Sequence, residues 1–104
     1  MIADIEAHRD ELRALCRRFR VRRLEVFGSA ARSDDFDPAR SDIDFLVDFE
    51  AEAHDLARFI DFKDALEMLL NRRVDLVDRK AIEASRNYIR KEHILTGAEP
   101  IYVA

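Results

Sequence analysis

The segment Asp42-Ile43-Asp44-Phe45-Leu46-Val47-Asp48-Phe49 constrains the fold of this 104-residue chain more than any other. Its odd-numbered positions Ile43, Phe45 and Val47 are apolar, and its even-numbered positions begin with Asp42 and Asp44. Side chains two apart on a strand share a face. The segment therefore reads as a strand with one core-facing side and two carboxylates about 6.6 Å apart on the other. Aspartate is a poor strand former, and like charges this close raise one another's pKa unless a cation lies between them. Taken alone, the pattern also fits a solvated strand start. A divalent metal removes the conflict, and carboxylates with room for water and phosphate suit Mg²⁺.

Around this strand the apolar periodicity alternates between helix and strand. Residues 2–19 carry Ile2, Ile5, Leu12, Leu15, Cys16 and Phe19 near one helical face. Residues 22–27 place Leu24 and Val26 on one side of a strand that ends at Gly28-Ser29. Ser29 caps a short helix to about Ser33, and 34–40 is a loop without periodicity. A long amphipathic helix is expected over 55–70, a third strand over 74–77, a helix over 81–95 closed by Gly97, and a short last strand over 101–103. The order predicts an α/β sheet of three or four strands covered by helices. The length fits a single domain, 1–104.

Composition narrows the class. Eighteen Lys and Arg against 22 Asp and Glu leave a net charge of −4, which argues against strong direct nucleic-acid binding. No apolar run approaches a membrane span, and the acidic start Met1-Ile2-Ala3-Asp4 does not suit a secretory signal. One cysteine, Cys16, cannot form an internal disulfide, so a cytoplasmic setting is expected.

Two further signals join the Asp pair. Backbone N–H groups at a helix start, reached through Gly28-Ser29, form an anion site, and Arg32 lies three residues further on. Asp75 stands mid-strand in Val74-Asp75-Leu76-Val77. If that strand neighbours 42–49, Asp75 lies about 5 Å across the ladder from the pair. Asp78, at the strand's end, is the competing carboxylate. Such a cluster beside a phosphate cradle suits metal-bridged phosphoryl chemistry.

Gly28-Ser29, Arg32, Ser41-Asp42-Ile43-Asp44-Phe45-Leu46-Val47 and Asp75, spanning about residues 21–78, resemble the nucleotidyltransferase superfamily related to DNA polymerase β. The match is to its minimal branch, the antitoxins paired with HEPN toxins. Twelve residues, 30–41, separate Ser29 from Asp42, more than is usual there, and the extra length falls in the 34–40 loop. The resemblance implies a palm-like fold, α/β or α+β by some schemes, with a three- to four-stranded mixed sheet. It implies that Gly28, Ser29 and Arg32 hold the triphosphate of ATP. It implies that Asp42, Asp44 and Asp75 bind Mg²⁺, two ions in all, with Asp75 also helping to deprotonate the attacking hydroxyl. It implies transfer of AMP to a tyrosine of a HEPN-type toxin encoded nearby. A homo-oligomer is compatible with that. A small-molecule or RNA acceptor, or a non-catalytic module that neutralises a partner by binding, are the alternatives. A chain this short has no element to spare for an acceptor site, so the acceptor is expected from another molecule.

Other features are set aside. Arg17, Arg18, Arg20, Arg22 and Arg23 fit a helix C-terminus and a solvated strand edge, although they and the segment after Gly97, with Ile101 and Tyr102, are candidate contact surfaces. Arg86 and His93, expected on one helix, match the spacing of a HEPN ribonuclease motif, but those domains are all-helical. Cys16 reads as core.

Overall fold

The computed structural model describes residues 1–32, 37, 42–50 and 55–104. Within them the elements run α1 (Ala3–Ala7), α2 (Arg9–Arg18), β1 (Val21–Phe27), α3 (Ser29–Arg32), β2 (Ile43–Phe49), α4 (Leu56–Leu70), β3 (Val74–Asp78), α5 (Arg79–Glu83), α6 (Tyr88–Gly97) and β4 (Glu99–Val103). The four strands form one sheet in the order β3-β2-β1-β4. β1 is antiparallel to both β2 and β4, while β2 and β3 are parallel. A parallel pair needs a crossover, and α4 supplies it. Asp55 caps that helix by accepting from the Arg58 N–H at 3.0 Å. Asn71 ends it in the left-handed conformation, φ 52°, which asparagine tolerates better than most residues.

The alternation expected over 42–49 sets the layers. Ile43, Phe45 and Val47 join Leu24 and Val26 in the main core, covered by Leu12 and Cys16 of α2 and by Phe62, Leu66 and Leu70 of α4. Cys16 is fully buried, and burial pushes its thiol up to about 12. On the opposite face Leu46 packs with Ile82 of α5 and Ile94 of α6, flanked by Phe27 and Val77. That smaller core does not include Asp44, which is half-buried, or Asp75, which is exposed.

Several boundaries differ from the sequence expectation. The helix expected over 2–19 breaks at His8, where φ is −108° and ψ 15°. There the His8 Nδ1 donates to the Asp4 carbonyl at 2.8 Å, a side-chain bond that competes with the helical ladder. The helix expected over 81–95 is likewise two helices, with Asn87 capping α6 through a bond from the Arg90 N–H. Arg86 therefore lies in the connection and not on the helix that carries His93. Gly97 is the last residue of α6, and an extended Ala98 follows it, so it is not a left-handed cap. β4 starts two residues earlier than expected and contains Pro100, which an edge strand accommodates. Ile101 is buried in the core and is not a free contact surface, whereas Tyr102 is only partly buried against it. The 34–40 loop lies outside the described residues except for Asp37. Among the described residues no helix is long and apolar enough to cross a membrane.

Candidate functional site

The site grows from one tight turn. β1 ends at Phe27, opposite Asp44 in the antiparallel register. Gly28 then takes φ +71°, a conformation that costs glycine little and most residues much. The Gly28 carbonyl accepts from the N–H groups of Ala31 at 3.1 Å and Arg32 at 3.3 Å, which starts α3 directly after the strand. A Cβ on Gly28 would lie 2.5 Å from the Asp44 Oδ2. The carboxylate therefore sits against this bare backbone, and any side chain at 28 would displace it.

The parallel register then aligns Asp44 with Asp75, so their strands bring the two residues within about 4.8 Å of each other. Asp42 lies just before β2, two residues from Asp44. Asp44 is half-buried between the exposed Asp42 and Asp75. Burial, then the charge of Asp75, then that of Asp42 push its carboxyl up to about 6. All three influences oppose a lone anion. Of the six expected site residues, Gly28 lies at the turn, a half-buried Ser29 opens α3 and an exposed Arg32 closes it, Asp42 precedes β2, Asp44 lies on β2, and Asp75 lies on β3, which follows α4 in the chain and neighbours β2 in the sheet.

The donor set is all oxygen, which suits a hard divalent cation. Among the described residues no three ligands converge into a closed metal cage. Mg²⁺ does not require one: it binds through one or two carboxylates and completes its shell with water and substrate phosphates. The arrangement thus fits a cation that arrives with a polyphosphate.

Asp78 has another task. It caps α5 by accepting from the Lys80 N–H at 3.0 Å. It also stands three residues beyond Asp75, about 10 Å along the strand. The sequence reading missed Glu25. It is 3% exposed on the carboxylate-bearing face, where it pairs with Arg79 of α5 and with the Arg23 Nε at 3.2 Å. Its position between Leu24 and Val26 placed it off the main core, and its burial comes from tertiary packing on that face, to which Arg79 of α5 contributes. Arg22 lies 3.7 Å from Asp48, so two members of the arginine cluster are tied to carboxylates of the sheet.

Comparison with known proteins bears on the family and the fold. The family model for the nucleotidyltransferase domain matches residues 9–96. Over 80 residues the chain is 44% identical to the protein adenylyltransferase MntA of Thermococcus cleftensis, which covers 77% of this chain and 75% of that one. A solved candidate minimal nucleotidyltransferase superposes with a TM-score of 0.72 at 36% identity, covering 92% of this chain and 91% of its own. The fold also recurs in a chain from a Shewanella oneidensis complex of tri-AMPylated HEPN toxin with MNT antitoxin. There the TM-score is 0.62 at 19% identity, with 95% of this chain and 72% of that chain covered.

Proposed function

The chain belongs to the nucleotidyltransferase domain family, and on that premise we propose that it is a Mg²⁺-dependent protein adenylyltransferase. It transfers AMP from ATP to a tyrosine hydroxyl of a HEPN toxin and so acts as an antitoxin. The observation that carries this reading is the alignment of Asp44 with Asp75 beside the bare backbone of Gly28. Its support for the acceptor comes from the relatives, which include a protein adenylyltransferase and a chain from an AMPylated toxin complex.

In this reading the backbone at Gly28 and Ser29 binds the triphosphate at the start of α3, where free N–H groups favour an anion. Arg32 adds a guanidinium suited to phosphate oxygens. Asp42, Asp44 and Asp75 would hold Mg²⁺, two ions in all, together with the phosphates, and the metal would neutralise charge on the transferring phosphate and its leaving group. Asp75 is the exposed member of the aligned pair and takes the proton of the attacking hydroxyl. The new bond joins that oxygen to the α-phosphorus, the bond to the β-phosphate oxygen breaks, and pyrophosphate leaves. Positioning the hydroxyl falls to the partner, and positioning supplies a large part of the rate in such transfers.

The test incubates the chain with ATP labelled at the α-phosphate, Mg²⁺ and the HEPN protein encoded beside it. Label on a partner tyrosine, lost in Asp42→Ala and Asp44→Ala, is the expected result. Label on RNA or on a small molecule would move the acceptor elsewhere. An unmodified partner whose toxicity is still suppressed would replace transfer by neutralisation through binding.

A further inference from the structure

α2 and α4 cover the face of the sheet opposite the carboxylates, and a groove of about 410 Å³ runs between them. Its lining is small and apolar at the centre, with Ala14 and Leu15 on α2 and Ala65 and Leu69 on α4. Met68 stands on its rim, 84% exposed. Glu11 and Arg18 also line it. They are seven residues apart on α2, which is two helical turns on the same stripe, about 10 Å. Among the described residues neither is in an ion pair. The Arg18 guanidinium lies over the Phe19 ring, 5.2 Å from its centroid.

Opposite charges at the two ends of an apolar stripe make that stripe complementary to itself. A two-fold axis through the Ala14–Leu15 region carries the positive end of one copy onto the negative end of the other, the arrangement an isologous interface requires. The geometry points to a second copy of this chain as the occupant of the groove. Two α2 helices pack antiparallel, Glu11 of each copy faces Arg18 of the other, and Met68 of each enters the space above Ala14 and Ala65 of the other. Alanines at the crossing allow a close helix approach, at the short end of the usual 8–10 Å. α2 has ten residues and is about 15 Å long, so the buried area falls at the small end of specific interfaces and the association is concentration-dependent. Both carboxylate faces point outward in this dimer, so pairing leaves each site accessible. The inference is independent of the proposed acceptor.

Sedimentation equilibrium on the full chain, from about 1 μM to about 1 mM, covers the range of such weak interfaces. The wild type is expected to become dimeric across it. Glu11→Arg places like charges together across the axis, as does Arg18→Glu, and each should weaken dimerisation by about tenfold or more. The double variant Glu11→Arg/Arg18→Glu restores both pairs and should recover the wild-type constant to within about threefold. Circular dichroism melts verify that all three variants fold. A wild type monomeric at the highest concentration overturns the proposal. So does a single reversal that dimerises as well as the wild type, or a double variant no better than the singles.

Discussion

At Asp44 the free protein bears a cost that the proposed metal site would offset. The carboxyl is pushed up to about 6 by burial and by Asp75 and Asp42, whereas in the unfolded chain it titrates near 3.9. Between those values the native state holds more protons than the unfolded state, so stability falls as pH rises through that window. It is highest below about pH 4 and reaches its lower plateau above about pH 6. The whole shift corresponds to roughly 3 kcal/mol, but Asp44 is open to water on one side, and screening reduces the effect to about 1 kcal/mol. Asp44→Asn is therefore expected to abolish transfer while raising the urea midpoint at pH 7.5 and leaving it little changed at pH 4. A variant equally destabilised at both values would show that the carboxylate serves the fold. Asp42 and Asp44 were legible in the sequence because a period of two is unambiguous on a strand with an apolar opposite face. Asp75 was legible because Val74 and Leu76 flank it. Its alignment with Asp44 was conditional on which strands are neighbours, and local pattern does not specify that.

Among the elements, α5 is held to the sheet by a buried charge as well as by Ile82. Arg79 reaches from its first position to Glu25 on β1, across β2. Because α5 follows β3 without a break, this clamp also fixes the end of the strand that carries Asp75. Breaking a buried pair by removing one partner costs about 3–5 kcal/mol. Arg79 is partly exposed, its side chain at 21%, so Glu25→Ala is expected near the lower end. The double replacement Glu25→Leu/Arg79→Met should be much milder, since it leaves no buried charge behind. Urea midpoints decide, and a Glu25→Ala protein within about 0.5 kcal/mol of wild type would refute the clamp. None of this was visible along the chain, because Glu25 and Arg79 are 54 residues apart. The same limit explains the helix boundaries. The apolar positions before and after His8 continue one period, so periodicity ran through a break made by a side-chain hydrogen bond. The central strands were legible because their patterns agree with their burial, and α4 was legible from Phe62, Leu66 and Leu70, although Leu56 and Ile60 of the same apolar pattern are exposed.

Across the whole molecule, charge and layering imply an order of binding. The chain carries a net charge of −4, and three of its carboxylates, Asp42, Asp44 and Asp75, gather at the candidate site. Free ATP is a polyanion and should be repelled from that site at low ionic strength. The cation alone should bind weakly, because no closed cage of three ligands exists among the described residues. Together they complement each other: the phosphates complete the metal's shell, and the metal cancels the repulsion between phosphate and carboxylate. Thermal stability should therefore respond non-additively. At ligand about 100-fold above Kd the native state gains about 2.7 kcal/mol. For a domain of this size each kcal/mol raises Tm by roughly 4–8 °C, so Mg²⁺ with ATP should raise it by about 10 °C or more. ATP with a chelator, or Mg²⁺ alone, should move it by no more than about 2 °C. Asp42→Ala should lose the joint response. Differential scanning fluorimetry measures all of these on the chain by itself, without any acceptor. A full shift from ATP in the presence of chelator would mean that the phosphates bind away from the aspartates, and the assignment of Asp42, Asp44 and Asp75 as the metal site would fail.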